Sequence, residues 1–328
     1  MMFFIKRKFR GAFSLLNRNF RDFFLDDLVW LFHSDRKKIP ADLVAQYKVI
    51  FRRTSKFLEV YPKIFSGDDL NNKLKWLMLF DQDPVIIDLC DKIKVRNFVE
   101  KNVGQYYLNK IYRIWSNAKD IEFSDLPNEF VIKTNHDSGS VWLVHKNDLC
   151  EFDLRQKVDK SLELVYGVEK GEWFYQYVKP AVFAEEFVNG MYGEIEDYKF
   201  HCSKGEVVFV HYIYDRASGK PKEEILSAAG SELNIRLDQN FVTGSEFRRR
   251  GVPKQWNEMI EVAKKLSVNF KYVRIDLYIT TKGVRFGEMT FHPMNGNYGG
   301  PGQKHLGQLL SIDRESRKNA FKIEEKSQ

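Results

Sequence analysis

The chain has 328 residues, 43% of them hydrophobic and 15% aromatic, enough for one large domain or two to three smaller ones and against disorder of the whole chain. Its net charge of +7 suits anionic partners, but the basic residues are dispersed apart from short clusters at 6–10 and 248–250. No recognition-helix or zinc-finger pattern accompanies them, so nucleic acid is not expected as a partner.

The N-terminal segment, residues 1–40, is aromatic and basic. Its opening, "MMFFIKRKFRGAFSLL", carries charge where a signal peptide needs its apolar stretch, so secretion is not expected. No run approaches the roughly 18 apolar residues that span a bilayer. Residues 1–32 could rest on a membrane surface, although packing on the chain's own core is the simpler expectation. From 41 to 120 the text is mainly helical. "ADLVAQYKVIFRRTSKFLEV" has helical spacing, and "DDLNNKLKWLMLFDQDP" opens on an Asp cap. "VIIDLCDKIKVRNFVEKNVG" reads as one helix closed by Gly104, and "QYYLNKIYRIWSN" as another. Strand signals begin near Ile121 with "LPNEFVIKTNHDSGSVWLVHKND", a strand, a polar Gly/Ser loop and a strand. A charged helix over 154–164 follows, then a short strand, "AVFAEEFVNG". "DYKFHCSKGEVVFVHYIYDR" is a hairpin turning at Lys204-Gly205. Residues 217–251 read as loop-rich, and "PKQWNEMIEVAKKLSVNF" as a helix with Pro253 near its start. "VRIDLYITTKGVRFGEMTFHPMNGN" is a second hairpin about Lys282-Gly283, and residues 314–328 form a charged tail. Helices and strands do not alternate regularly and the hairpins are antiparallel, which predicts an α+β fold. The three cysteines, Cys90, Cys150 and Cys202, form no CxxC, consistent with reduced thiols in a cytoplasmic protein.

Several constellations could carry chemistry. A strand delivers Lys133 to a loop holding His136, Ser138, Gly139 and Ser140, where backbone amides and hydroxyls could surround an anion. Glu185 and Glu186 lie side by side in an apolar strand, so one must face inward and needs a donor: an ion-pair partner or an adenine amino group. Asp197 and Lys199 share one strand face, fit for a salt bridge or for a ribose or phosphate contact. Arg274 shares a strand face with Asp276. If the last hairpin brings Asp276 near Glu288, either a divalent cation or neighbouring Arg274, Arg285 and lysines must offset their repulsion.

In this order, "DKIKVR", "VIKTNHDSGS", "AEEFV", "DYKFHC" and "VRIDLY…FGEMTFHP" resemble the TupA-like branch of the ATP-grasp superfamily, a branch associated with teichuronopeptide and bacterial surface-polysaccharide synthesis. The resemblance runs over about 91–307. It implies a small lid subdomain over 121–188 and a large subdomain with the metal site over 189–313, holding ATP between two antiparallel sheets. Arg96 and Lys133 would touch the phosphates, with the loop 136–140 closing over them. Glu185 would take the adenine amino group, with Glu186 and Val188 lining the base. Asp197 would hold the ribose and Lys199 the terminal phosphate. Asp276 and Glu288 would bind Mg²⁺, and Arg274 would act on the transferring group together with Lys199. Thr290 stands where ATP-grasp enzymes usually have Asn, so one metal is expected rather than two; Asn295 or Asn297 could compensate. The implied activity is ATP- and Mg²⁺-dependent ligation of a carboxylate to an amine, an amino acid joined to a uronic acid. A sugar kinase and a non-catalytic glycan- or membrane-associated subunit remain the alternatives.

Overall fold

A computed structural model describes residues 41–314. The expectations placed on residues 1–40 and 315–328 lie outside the described residues. Helix α1 (Ala41–Leu58) is followed by α2 (Leu70–Phe80), α3 (Val85–Cys90) and α4 (Val95–Val103). The Asp69 carboxylate caps α2, accepting from the Asn72 amide at 2.9 Å. The single helix expected over 85–103 is two, because Asp91 breaks it. Its Oδ1 accepts the amides of Ile93 (2.8 Å) and Lys94 (3.3 Å), starting α4 afresh.

Strand β1 (Ile111–Trp115) corrects the expected helix at "QYYLNKIYRIWSN". Its branched and aromatic residues, Ile111, Tyr112, Ile114 and Trp115, favour extended backbone, and an edge was available beside β4 (Val182–Glu186). With β2 (Glu129–Thr134) and β3 (Val141–His145), these form a four-stranded antiparallel sheet in the order β1-β4-β2-β3. Helix α5 (Glu151–Leu162) covers it through Leu154 and Val158, packed with Phe130, Ile132, Val144 and Val182.

The second sheet has six strands, in the order β10-β9-β5-β6-β7-β8. The strands are β5 (Asp197–Ser203), β6 (Glu206–Tyr214), β7 (Lys222–Leu226), β8 (Val242–Thr243), β9 (Val273–Thr280) and β10 (Gly283–Thr290). All neighbours are antiparallel except the two-residue pair β7–β8. Lys204 (φ 50°) and Gly205 (φ 83°) turn β5 into β6 as expected. Residues 217–251 are more regular than their sequence suggests, contributing β7, β8 and helix α6 (Glu246–Arg250). Helix α7 (Trp256–Ser267) covers one face of this sheet, packing Trp256, Met259 and Leu266 near Phe200, Tyr212, Ile275 and Leu277. On the opposite face α1, α2 and α8 (Gln303–Leu309) cover the β6–β7 end, with Leu74, Leu77 and Leu306 in one cluster with Phe209 and Ile225. Each fully buried side chain of this size contributes about 1.5–3 kcal/mol. The β9–β5 part of that face is left to charged residues.

The two sheets meet at the β9–β10 turn. Met191 donates to the Ile279 carbonyl (3.0 Å), Thr281 to Asn189 (3.1 Å), and Lys282 pairs with Glu186.

Candidate functional site

Strand periodicity assembles the charged strip. Odd residues of β9, Val273 to Ile279, enter the α7 core, so Arg274, Asp276 and Tyr278 point the other way. In register, Asp276 lies opposite Lys199, Arg274 opposite His201 and Tyr278 opposite Asp197. Glu288 should have followed Val284 and Phe286 into the core. A bulge at Gly287 reverses the alternation, so Glu288 faces Asp276, Thr290 faces Arg274, and Met289 takes the core position. A Cβ at Gly287 would stand 3.2 Å from the Asp276 carbonyl, so the bulge has little room for a side chain. The turn also differs from expectation. Gly283 pairs with Thr280, leaving Thr281 and Lys282 as the two-residue loop.

Arg274 is 9% exposed and grips Asp276 with two hydrogen bonds, 2.6 and 2.7 Å. The same guanidinium reaches Glu288 at 2.8 Å and the Thr290 hydroxyl at 3.1 Å. Lys199 pairs with Asp276 and lies 3.6 Å from Asp197, which Arg216 binds at 2.6 Å. The carboxylate pair is therefore balanced by Arg274 and Lys199. Arg285 is not involved; it sits over the Tyr106 ring and donates to Val284. Burial raises the pKa of Glu288, but Arg274, Lys199 and Lys92 outweigh it and hold the group below its ordinary value. Among the described residues no three His, Cys, Asp or Glu side chains cluster to hold a metal.

The other expected site residues divide. Glu185 is buried, and its partner is Lys133 rather than an open donor site. Arg96 donates to the Asn109 carbonyl (2.6 Å) near Glu185 and Tyr278, so these four form one cluster at the junction of the sheets. Glu186 spends its amide on the Lys110 carbonyl (2.8 Å) and its carboxylate on Lys282, while Val188 follows just beyond the strand, buried. In the β2–β3 loop, His136 faces inward. It is 2% exposed, lies near the backbone of Ser161 and Leu164 without a well-formed hydrogen bond, and burial lowers its pKa. Ser140 is tied to Asp137 and Ser161. Ser138 and Gly139 (φ 99°) are exposed, and none of the amides from His136 to Ser140 donates a hydrogen bond among the described residues.

Two residues were missed. Asp137 accepts from Thr134 (2.7 Å), Ser161 (2.9 Å) and Ser140. Lys92, in the motif that also carries Arg96, donates to the carbonyls of Thr134 (3.1 Å) and Asp137 and acts on Glu288. The i and i+4 positions in "DKIKVR" were both basic, and only the break at Asp91 decides which points at the loop.

A family model described as TupA-like ATPgrasp matches residues 72–309. The chain belongs to the TupA-like ATP-grasp family. A search of curated proteins found no match. Among solved structures the chain is similar to a Bacillus anthracis D-alanine–D-alanine ligase complexed with ATP: 16% identity, TM-score 0.38, 68% of this chain and 64% of that one. It is similar to the ATP-grasp ligase PsnB, complexed with a minimal precursor variant, Mg and ADP, at 12% identity and TM-score 0.35, over 67% of this chain and 58% of that one. A Thermotoga maritima phosphoribosylamine–glycine ligase gives 13% and 0.35, over 63% and 48%. The chain spans less than two thirds of each of these proteins. The family assignment rests on the family model alone.

In this ATP-grasp chain a cavity of about 340 Å³ opens beside Arg274, Glu288 and Thr290, with Ser138, Glu172, Asn295 and Asn297 in its walls. The loop after β10 is held in the left-handed region at Met294 (φ 52°), Asn295 (φ 52°) and Gly296 (φ 62°). Helix α2 clamps it: Asn71 exchanges hydrogen bonds with Tyr298 at 2.8 and 2.9 Å, and Lys75 donates to the Gly296 carbonyl. A Cβ on Gly296 would come 2.9 Å from the Asn71 carbonyl. Gly296→Ala should therefore cost about 1–3 kcal/mol, read as a lower midpoint in urea unfolding; an unchanged midpoint would contradict this account.

Glu172 carries a second prediction. Burial raises its pKa to about 7, partly offset by Asn295, Lys170 and Arg53. Between its ordinary value of 4.5 and about 7 the folded state holds a proton that the unfolded chain has lost. Stability from this group is thus present at pH 4.5 and falls by about 1.4 kcal/mol per pH unit across the window. Glu172→Gln should match the wild type near pH 5 and melt higher at pH 8; parallel melting curves at both pH values would refute it.

Proposed function

We propose that this chain is an ATP- and Mg²⁺-dependent ligase that joins a carboxylate to an amine. The observation that carries the proposal is the meeting of two features on one cavity. The β2–β3 loop offers five consecutive amides that donate no hydrogen bond among the described residues and reaches the cavity at Ser138, while Arg274 and Glu288 line the same cavity. Unbonded amides fit phosphate oxygens, and the Glu288 side chain, 40% exposed, keeps a hard oxygen open.

The donor set fits a magnesium ion. Glu288 and Asp276 would hold it, and the buried Asn297 Oδ1, without a partner among the described residues, lines the same cavity. Two or three protein oxygens with phosphate and water completing the shell is the usual magnesium arrangement. When bound, the ion would neutralise phosphate charge. Asp276 is 5% exposed at its side chain and engaged by Arg274 and Lys199, so these cations would have to release it to bind metal or phosphate.

In the proposed reaction a substrate carboxylate oxygen attacks the γ-phosphorus and the bond to ADP breaks. The amine nitrogen then attacks the acyl carbon, phosphate leaves with the bonding pair, and the amine gives up a proton. Lys199 and Arg274 are placed to hold the charge of the transferring group. Arg96 and Lys133 are the proposed phosphate ligands of the lid side, and closure of the 136–140 loop would keep water from the acyl phosphate. Glu185 with the Val188 backbone is proposed for adenine, and Asp197 for the ribose. The proposed acid is a uronic acid and the proposed setting is surface-polysaccharide synthesis, both on the strength of the resemblance in sequence. The cytoplasm is the proposed compartment, with free thiols at Cys90, Cys150 and Cys202; recovery of the protein outside the cell membrane would overturn that.

ADP release from ATP and Mg²⁺ that requires both a uronic acid and an amino acid supports the ligase. A stable phosphoester formed without any amine would make the chain a kinase. Absence of nucleotide binding, or binding and turnover unchanged by Asp276→Asn with Glu288→Gln, would sink the proposal.

A further inference from the structure

Several residues of the cavity wall have no part in the ATP roles proposed above. Arg53 reaches it from α1, ahead of residue 72 where the family match begins. Opposite stand Tyr166, Lys170 and Glu172, the last two separated by a tight turn at Gly171 (φ 81°). Glu172 is 5% exposed and is met by the Asn295 amide, but no cation lies within ion-pair distance of it among the described residues. Lys170 and Arg53 are half-buried and, among the described residues, have no carboxylate at that distance; the Lys170 ammonium lies 3.9 Å from the centre of the Tyr166 ring. One cavity thus holds a buried acid and two cations, close enough to influence one another but not paired. A buried charge left this way is costly unless something completes it.

Resting on the ligase reading above, we infer that this part of the cavity is the amine-substrate site and takes a free α-amino acid, its ammonium on Glu172 and Asn295 and its carboxylate on Arg53 and Lys170. A zwitterion supplies both missing charges at once, which neither a neutral sugar nor a simple acid does. The ammonium would then stand at the edge of the cavity lined by Glu288 and Thr290, where the activated acid is proposed to form.

The test uses the full chain loaded with Mg²⁺ and a non-hydrolysable ATP analogue, titrated calorimetrically with each of the twenty common amino acids. At least one should saturate the protein. Its N-acetyl derivative and its amide should each bind about 10- to 100-fold more weakly, the worth of one charge-assisted hydrogen bond. Arg53→Ala and Glu172→Gln should each weaken the amino acid by a similar factor and leave the nucleotide analogue unaffected, which also shows that the variants fold. Nucleotide binding without any amino-acid binding overturns the inference. So does an amino-acid affinity unchanged in both variants, or an affinity for uronic acids, but not amino acids, that depends on Arg53. If the nucleotide itself does not bind, the parent reading falls and this one with it.

Discussion

Replacing Arg274 with methionine should destabilise the protein by about 3–5 kcal/mol and abolish the proposed ATP turnover. The residue is 9% exposed and its guanidinium is shared by Asp276, Glu288 and Thr290. Methionine fills similar volume, so the loss is one of charge rather than of packing. It would leave Asp276, 5% exposed, with Lys199, and the more open Glu288 with the more distant Lys92. If the uncompensated carboxylates are the cause, most of the cost should vanish when Asp276→Asn and Glu288→Gln are already present. Urea unfolding of the four proteins measures this coupling directly. An equal cost in both backgrounds would assign the effect to packing instead. The pH dependence has a definite sign. Glu288 is held below its ordinary value of 4.5, so its contribution is in place above that pH and is lost as pH falls through its lower folded value. The penalty of Arg274→Met should therefore be full at pH 7 and shrink in strong acid.

Much of this site was legible in the sequence because period-two alternation places residues on faces. Arg274 with Asp276, and Asp197 with Lys199, follow from spacing alone. Glu288 does not. Strict alternation from Phe286 would bury it, and the expected turn at Lys282-Gly283 would have set a different register. The actual loop at Thr281-Lys282 and the bulge at Gly287 together bring Glu288 opposite Asp276. A bulge is a tertiary choice: the sheet gains a core methionine and a solvent-side acid by spending one unpaired residue. The helix expected at "QYYLNKIYRIWSN" failed for a similar reason, since the vacant edge of β4 decided between two allowed local structures. The Glu185 donor was left open between an adenine and an ion pair, and the structure supplies Lys133. Arg53 was not foreseeable from motifs at all, because it comes from a helix that carries none.

Asp137→Ala should do comparable damage to a different part of the machinery. The residue is 3% exposed and stands inside the loop that the sequence suggested for phosphate, yet its carboxylate is spent on the protein's own hydroxyls. Its two oxygens accept Thr134 at the end of β2, Ser140 at the start of β3 and Ser161 from α5, with the Lys92 ammonium 3.8 Å away. It therefore ties both ends of the loop to α5, so that Ser138 and Gly139 can stay exposed with free amides. Removing the carboxylate leaves three hydroxyls and a lysine to re-pair among themselves in a buried space, at a cost of about 3 kcal/mol. Asp137→Asn retains the shape and one acceptor and should cost about 1 kcal/mol. The functional consequence should be larger than the difference in stability. A loop no longer pinned must be ordered by the nucleotide itself, and that ordering entropy comes out of the affinity. We expect Asp137→Ala to weaken ATP-analogue binding about 100-fold and to expose the Ser138–Gly139 bond to limited proteolysis, while Asp137→Asn falls between it and the wild type. If the alanine variant keeps both its nucleotide affinity and its resistance to proteolysis, Asp137 is a core hydrogen-bonding residue only, and the loop's geometry must be set by Lys92.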